Sequence, residues 1–187
     1  LPETTASFGH RLVFLYIGGF IIAISIEKWR LHRRIALNII HMIGANLSLI
    51  ILGFMIATAF LSMWISNTAT AVMMLPIGMA IVSQLEQSDL KEKFGKVLML
   101  SIAYSASIGG VATLIGTPPN LIMAGVIEEL YQVEITFSQW IIFGLPISIV
   151  LLFICWRYLV VYAFPMKDHA FPGGRAEIKR QLTSMGR

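Results

Sequence analysis

Three hydrogen-bonding side chains, Ser66-Asn67-Thr68, stand in the middle of an apolar run from about Ile50 to Leu85 that contains no Asp, Glu, Lys, Arg or His. Any chemistry done there uses neutral oxygens and amides. Ser62 lies one helical turn before Ser66, a spacing that puts both on one face where a first helical arm ends. Their hydroxyl and carbonyl oxygens, with the Asn67 amide oxygen, make a neutral cage suited to a small hard cation. Gly116 can add a carbonyl from a second interruption, because glycine lets the backbone approach closely. Asn67 and Thr68 have N-cap chemistry, so the start of a second arm would turn free N–H groups outward, and a carboxylate is the natural guest. The plain alternative is that these hydroxyls bond back to the preceding turn or join helices. That reading is weaker for a Ser-Asn-Thr at the midpoint of two short arms than for Thr70, Ser101, Ser105 and Ser107, which read as packing residues.

The residue types also exclude chemistries. A proton-driven carrier places an acid or a histidine within the membrane, and neither the run from Ile50 to Leu85 nor that from Val97 to Ile127 contains one. Intramembrane serine hydrolysis lacks support: no Gly-x-Ser-x-Gly elbow occurs, and His10, His32, His41 and His169 fall in loops or at interfaces. The chain therefore reads as a non-enzyme. The single Cys155 has no partner for an internal disulfide and builds no thiolate metal site.

The elements that must position these residues are membrane elements. Hydrophobic residues make up 57% of the 187 and charged residues 13%, and the mean hydropathy is +0.78, which identifies an integral membrane protein. Leu12 to Ile26 reads as a transmembrane helix, with Gly18-Gly19 offering a close-approach surface. Lys28-Trp29-Arg30-Leu31-His32-Arg33-Arg34 and the mixed stretch to Ile43 read as a helix lying along the headgroups, or as the bent entry to the next segment, on the cytoplasmic side. The central run divides at Ser66-Asn67-Thr68 into two arms of about 15 residues, each about 22 Å long as helix. A hydrocarbon layer about 30 Å thick is too wide for either, so a re-entrant hairpin is expected. Gln84 to Lys96, carrying Lys91, Lys93 and Lys96, reads as a second cytoplasmic loop.

Val97 to Ile127 is too long for one simple span and contains Gly109-Gly110 and then Gly116-Thr117-Pro118-Pro119-Asn120. Two prolines cannot sit in a continuous helix interior. The helix is expected to break before Pro118 and restart there behind Thr117 as N-cap. Glu128, Glu129 and Glu134 suit an external loop, and Trp140 to Phe164 reads as another span, with Pro146 a source of a kink. Lys167, Arg175, Lys179, Arg180 and Arg187 return the chain to the basic side. The formal charge of +4 thus reports membrane topology rather than nucleic-acid binding. Leu1 to Phe8 lacks the basic start and cleavage site of a signal peptide, and with no initiating methionine the sequence is expected to be a piece of a longer protein.

The fold class so reached is all-α and integral to the membrane: transmembrane helices with one re-entrant hairpin and one discontinuous helix. Breaks at membrane depth are tolerated only when buried in protein or lining a wet cavity, so two of them predict a site.

Trp64-Ile65-Ser66-Asn67-Thr68-Ala69-Thr70 and Gly116-Thr117-Pro118-Pro119-Asn120 resemble the motifs of the divalent anion/sodium symporter family, carriers of succinate, malate, citrate and, in some branches, sulfate. The likeness extends through Gly18-Gly19-Phe20, Leu31 to Leu37 and Ala103-Tyr104-Ser105-Ala106-Ser107-Ile108-Gly109-Gly110. The resemblance implies an inverted-repeat elevator transporter of which this chain is the amino-terminal half. It implies Ser62, Ser66, Asn67 and Gly116 as sodium ligands and Ser66, Asn67 and Thr68 as substrate contacts, with Thr117, Pro118 and Asn120 supporting the break. Sodium would be co-transported. Residues 1–49 would belong to a scaffold domain, 50–164 to the transport domain (hairpin 50–85, broken helix 97–130, helix 137–164), and 165–187 to a cytoplasmic linker. The full-length protein would be a homodimer in the inner or plasma membrane, among lipid, moving a di- or tricarboxylate. A sodium-independent exchanger or sulfate carrier on the same fold, and a non-transporting membrane subunit, are the alternative readings.

Overall fold

The computed structural model describes residues 11–29, 34–35, 38, 46–85 and 88–165. The expected headgroup helix and the linker after Pro165 lie outside the described residues, apart from helical positions at Arg34, Ile35 and Asn38. Every regular element described is a helix: α1 (Arg11–Lys28), α2 (Leu47–Ser62), α3 (Asn67–Val82), α4 (Ser88–Val111), α5 (Pro118–Tyr131) and α6 (Phe137–Arg157), the last continued by a π-helical turn over Tyr158–Ala163.

Two helical stretches among the described residues are long and apolar enough to cross a membrane, Asp89–Val111 and Phe137–Ala163. They differ in surroundings. Half of the first is buried inside the fold, against 11% of the second, so α6 turns Ile142, Phe143, Ile147, Val150 and Phe153 outward. Such a face is stable only in an apolar solvent. Helices α2 and α3, 16 residues each, are about 24 Å long and meet at the turn 63–66.

The core forms around α4. Leu47, Ile50, Ile51, Phe54 and Met55 of α2, and Met74, Ile77 and Ile81 of α3, close on Phe94, Val97, Leu98 and Ile102 of α4, and Leu159 and Val160 complete the cluster. The charged stretch read as a loop is largely helical: α4 already begins at Ser88. The reason is amphipathicity. Phe94 and Val97 are fully buried while Glu92 and Lys96 stay outside and pair at 2.6 Å one turn apart. Lys93 Nζ also donates to the Pro165 carbonyl (3.0 Å), holding the end of the described chain to this helix.

Close approach of helices depends on small residues. A Cβ placed on Gly109 would overlap the Ala59 carbonyl and Cα, so α2 and α4 touch backbone to backbone there. A Cβ on Gly144 would come within 2.9 Å of the Val111 carbonyl oxygen and 3.0 Å of that of Ala112, which places α6 directly on the end of α4. Helix α6 runs on through Pro146. It is fastened by Trp140 Nε1 donating to Val111 O (2.9 Å), Ser148 Oγ to Ile108 O (3.0 Å) and Trp156 Nε1 to Ser48 O (3.0 Å).

Gly109→Ala is expected to lower stability by about 1–3 kcal/mol or more, because backbone cannot move aside for the added methyl. Gly18→Ala, where nothing lies within 4 Å, is expected to change little. Melting temperatures of the two variants in detergent check the contrast.

Candidate ion and anion site

The two interruptions of helix meet. Helix α2 ends at Ser62, and α3 starts at Asn67 with Ser66 as its N-cap, the Ser66 Oγ accepting from the Ala69 N–H at 3.3 Å. The sequence argument put Ser62 and Ser66 on one face of the first arm and gave capping to Asn67 and Thr68. Instead the chain leaves the helix after Met63. Ser66 crosses the turn because its hydroxyl is worth more as the cap of α3 than as a further residue of α2. Ser62 is fully buried, Asn67 half-buried, and Ser66 and Thr68 are exposed.

Ser62 Oγ lies 2.6 Å from the Ala106 carbonyl oxygen of α4 and 2.8 Å from Asn67 Oδ1. A hydroxyl has one proton. Oγ therefore donates to one of these oxygens at a time or shares its hydrogen between them, and the Asn67 amide can turn either end toward it. Gly110 adjoins this set, since a Cβ there would overlap Asn67 Oδ1. Gly116 adjoins Gly110 in turn, a Cβ on it falling 2.5 Å from the Gly110 carbonyl oxygen. Ser66 and Gly116 also line one small cavity together with Tyr16, Gly19, Phe20, Trp64 and Ile115. Ser62 thus touches Asn67, and Ser66 shares a cavity with Gly116, while Gly110 stands between Asn67 and Gly116.

The break between α4 and α5 is itself braced. Asn120 Nδ2 donates to the carbonyl of Gly110 (2.9 Å), one that the end of α4 leaves without a helical donor, and to that of Thr113 (2.8 Å) in the break itself. Thr113 Oγ1 donates to Met63 O at 2.6 Å, across to the α2–α3 turn. Neither Thr113 nor Ala106 was singled out in the sequence. Ala106 contributes only a carbonyl, which no side chain announces, and Thr113 differs from any packing threonine only in its partner.

Helix α5 starts at Pro118, with Thr117 at the N-cap in extended conformation but making no side-chain cap bond. Pro118 and Pro119 carry no N–H, and the Asn120 N–H is taken by the Thr117 carbonyl at 3.1 Å. The start of α5 therefore has little to offer an anion. The start of α3 differs: Asn67 and Thr68 stand in its first turn, where N–H groups have no intrahelical acceptor, and the helix dipole favours negative charge there. The packing serines behave as expected, Ser101, Ser105 and Ser107 each donating to a carbonyl of their own helix. Thr70 is buried as well, yet its hydroxyl, like that of Thr58, has no partner among the described residues. No group of three or more His, Cys, Asp or Glu able to hold a metal occurs among them either.

The family model described as "Citrate transporter" (CitMHS) matches residues 1–184 of the chain. The chain belongs to the citrate transporter family. It is 47% identical over 196 residues to the sodium-dependent dicarboxylate transporter SdcS of Staphylococcus aureus (strain USA300). To SdcS of Staphylococcus saprophyticus it is 45% identical over 192 residues. The alignments cover 100% and 99% of the chain but 37% of each relative, so the chain spans rather more than a third of the curated relatives it matches. Membership accords with the two membrane-length helices and with the resemblance to divalent anion/sodium symporters, and it makes this an integral membrane chain of a transporter family, not an enzyme.

Asn120→Ala is expected to cost about 1–3 kcal/mol, because it strips the Gly110 carbonyl of its donor and leaves the Thr113 carbonyl with the Gly116 N–H alone. Thr70→Val removes a hydroxyl that has no partner, and is expected to leave stability unchanged or raise it. Unfolding midpoints of both variants in detergent check the pair.

Proposed function

We propose that the chain is the amino-terminal part of a sodium-coupled carrier of di- or tricarboxylates, contributing one sodium site and half of a substrate site. The observation that carries the proposal is the cluster of neutral polar groups at the tip, buried Ser62 Oγ lying 2.6 Å from Ala106 O and 2.8 Å from the Asn67 amide. Sodium, here cargo, prefers hard oxygen ligands. The Gly116 carbonyl and Ser66 would complete its surroundings.

The substrate carboxylate then meets Ser66, Asn67 and Thr68 at the exposed start of α3. No Lys or Arg stands nearby among the described residues of the turn. The helix N-terminus and the bound sodium would offset the anion's charge, and binding of either would favour binding of the other. That is the physical basis of coupling. The relatives named as sodium-dependent dicarboxylate transporters favour a dicarboxylate, and the family description brings citrate into the same class.

In this reading α2 and α3 enter and leave the bilayer on one side as a re-entrant hairpin, and α4 with α5 is a discontinuous helix. The remaining length of the relatives would supply a second such pair and the rest of the substrate cage. Residues 50–164 would move as one body against a scaffold that includes α1, in a homodimer of the full-length protein. Burial of α2, α3 and α4 around one core supports the single body.

Uptake of labelled succinate by the full-length protein in proteoliposomes tests the proposal. Asn67→Ala is expected to raise the half-saturating sodium concentration or lower uptake by about 10- to 100-fold, the size of one or two lost interactions with a charged partner. Replacing sodium by choline is expected to abolish uptake. Full transport in choline, or by Asn67→Ala at low sodium, would overturn it.

A further inference from the structure

We propose that Thr113 is a positioning residue that sets the sodium affinity of the tip, an inference that rests on the sodium-site reading above. Thr113 lies in the break between α4 and α5 and is fully buried. Its neighbours Ala112 and Leu114 are buried and apolar, so a hydroxyl among them is costly unless bonded. It is bonded, and to a telling partner. Oγ1 donates at 2.6 Å to the carbonyl of Met63, the residue that directly follows Ser62 and opens the turn to Ser66.

The backbone of Thr113 faces the other way. Its carbonyl accepts from the Gly116 N–H at 3.3 Å and from Asn120 Nδ2 at 2.8 Å. One residue therefore holds the chain beside Ser62 with its side chain and the chain at Gly116 with its carbonyl. These are the two flanks of the proposed sodium site, and they come from segments some fifty positions apart in sequence, the Thr113–Met63 separation being 50. The hydroxyl touches the Met63 carbonyl rather than a cage oxygen, so its effect on the ion passes through backbone.

A site built from neutral oxygens is sensitive to such bracing. It has no carboxylate whose long-range attraction tolerates a displaced ligand; each dipole counts only at close range and correct angle. Without the Thr113 hydroxyl, the half-buried Met63 carbonyl loses its donor and turns toward another partner. The turn moves with it, and Ser62 and Asn67 separate from Gly116. Sodium must then restore the arrangement as it binds, and the cost appears as weaker sodium binding. Once sodium saturates, the same geometry is regained and the carboxylate finds the same α3 N-terminus.

The test uses the full-length carrier, with succinate uptake into proteoliposomes over a sodium titration balanced by choline. Sodium-induced stabilisation in detergent reads binding without transport. Thr113→Val, near in shape but lacking the hydroxyl, is expected to raise half-saturating sodium about three- to tenfold, the range that one hydrogen bond corresponds to. Maximal uptake at saturating sodium is expected to stay within about twofold, since only a positioning bond is lost. Thr113→Ser keeps the hydroxyl and is expected to restore the parent's sodium dependence. If Thr113→Val is not recovered from membranes, Thr113→Ala carries the same expectation.

Unchanged half-saturation in the hydroxyl-free variant overturns the inference, as does a Thr113→Ser variant equally impaired or a loss of rate that is the same at every sodium concentration. Asn67→Ala in the same assay keeps the two readings apart. If it too leaves sodium dependence intact, the sodium reading of the tip falls. If it abolishes that dependence while Thr113→Val matches the parent, only the role of Thr113 falls.

Discussion

Helix ends leave backbone polar groups that must find partners inside the protein, and this chain has two helix interruptions, at 63–66 and 112–117. The rest of the described fold answers that demand. Carbonyls at the end of α4 are taken by Asn120, Trp140 and Ser148, and the carbonyl that closes α2 is taken by Thr113. Ser66 caps the start of α3. Beside them Ser62 Oγ stands between Ala106 O and Asn67 Oδ1, while the buried hydroxyls of Thr58 and Thr70 have no partner among the described residues.

Helix α4 is the member through which this works. Its lower part is packed on both sides by α2 and α3, and its upper part gives up side-chain volume so that other backbones can approach. Gly109 admits α2, and Gly110 admits Asn67 and the Gly116 turn. Each glycine costs helix stability relative to alanine, and each is used for a contact that a methyl would block. Helix α6 adds little core but straps both ends, bonding near the tip through Trp140 and Ser148 and at the far end through Trp156 to Ser48. Its outward face, with Ile142, Phe143, Ile147, Val150 and Phe153, is apolar and uncovered among the described residues.

Much of this architecture could be read from residue order. The apolar runs, the short arms about Ser66-Asn67-Thr68 and the restart of helix at Pro118 all follow from hydropathy, length and the missing N–H of proline. The reading failed where charge was taken as a sign of loop. Ser88 to Lys96 is helix, because Phe94 and Val97 anchor one face to the core while Glu92 and Lys96 pair on the other. It also misplaced the cap, assigning to Asn67 and Thr68 the role that Ser66 takes. Helix ends are decided by single hydrogen bonds of about 1 kcal/mol, too small for composition to resolve.

By itself the sequence determined that this is a membrane chain with two interruptions and only neutral chemistry at them, because residue type alone decides solvent preference and the presence of charge. Whether the interruptions meet was a matter for the tertiary structure. Proximity of Ser62 to Ala106, of Asn67 to Gly110 and of Thr113 to Met63 depends on backbones packed within glycine distance. Those contacts join positions 44 to 50 residues apart for Ser62–Ala106 and Thr113–Met63. Two of the resulting partners, Ala106 and Met63, act through carbonyl oxygens that every residue possesses. No pattern of side chains could have marked them.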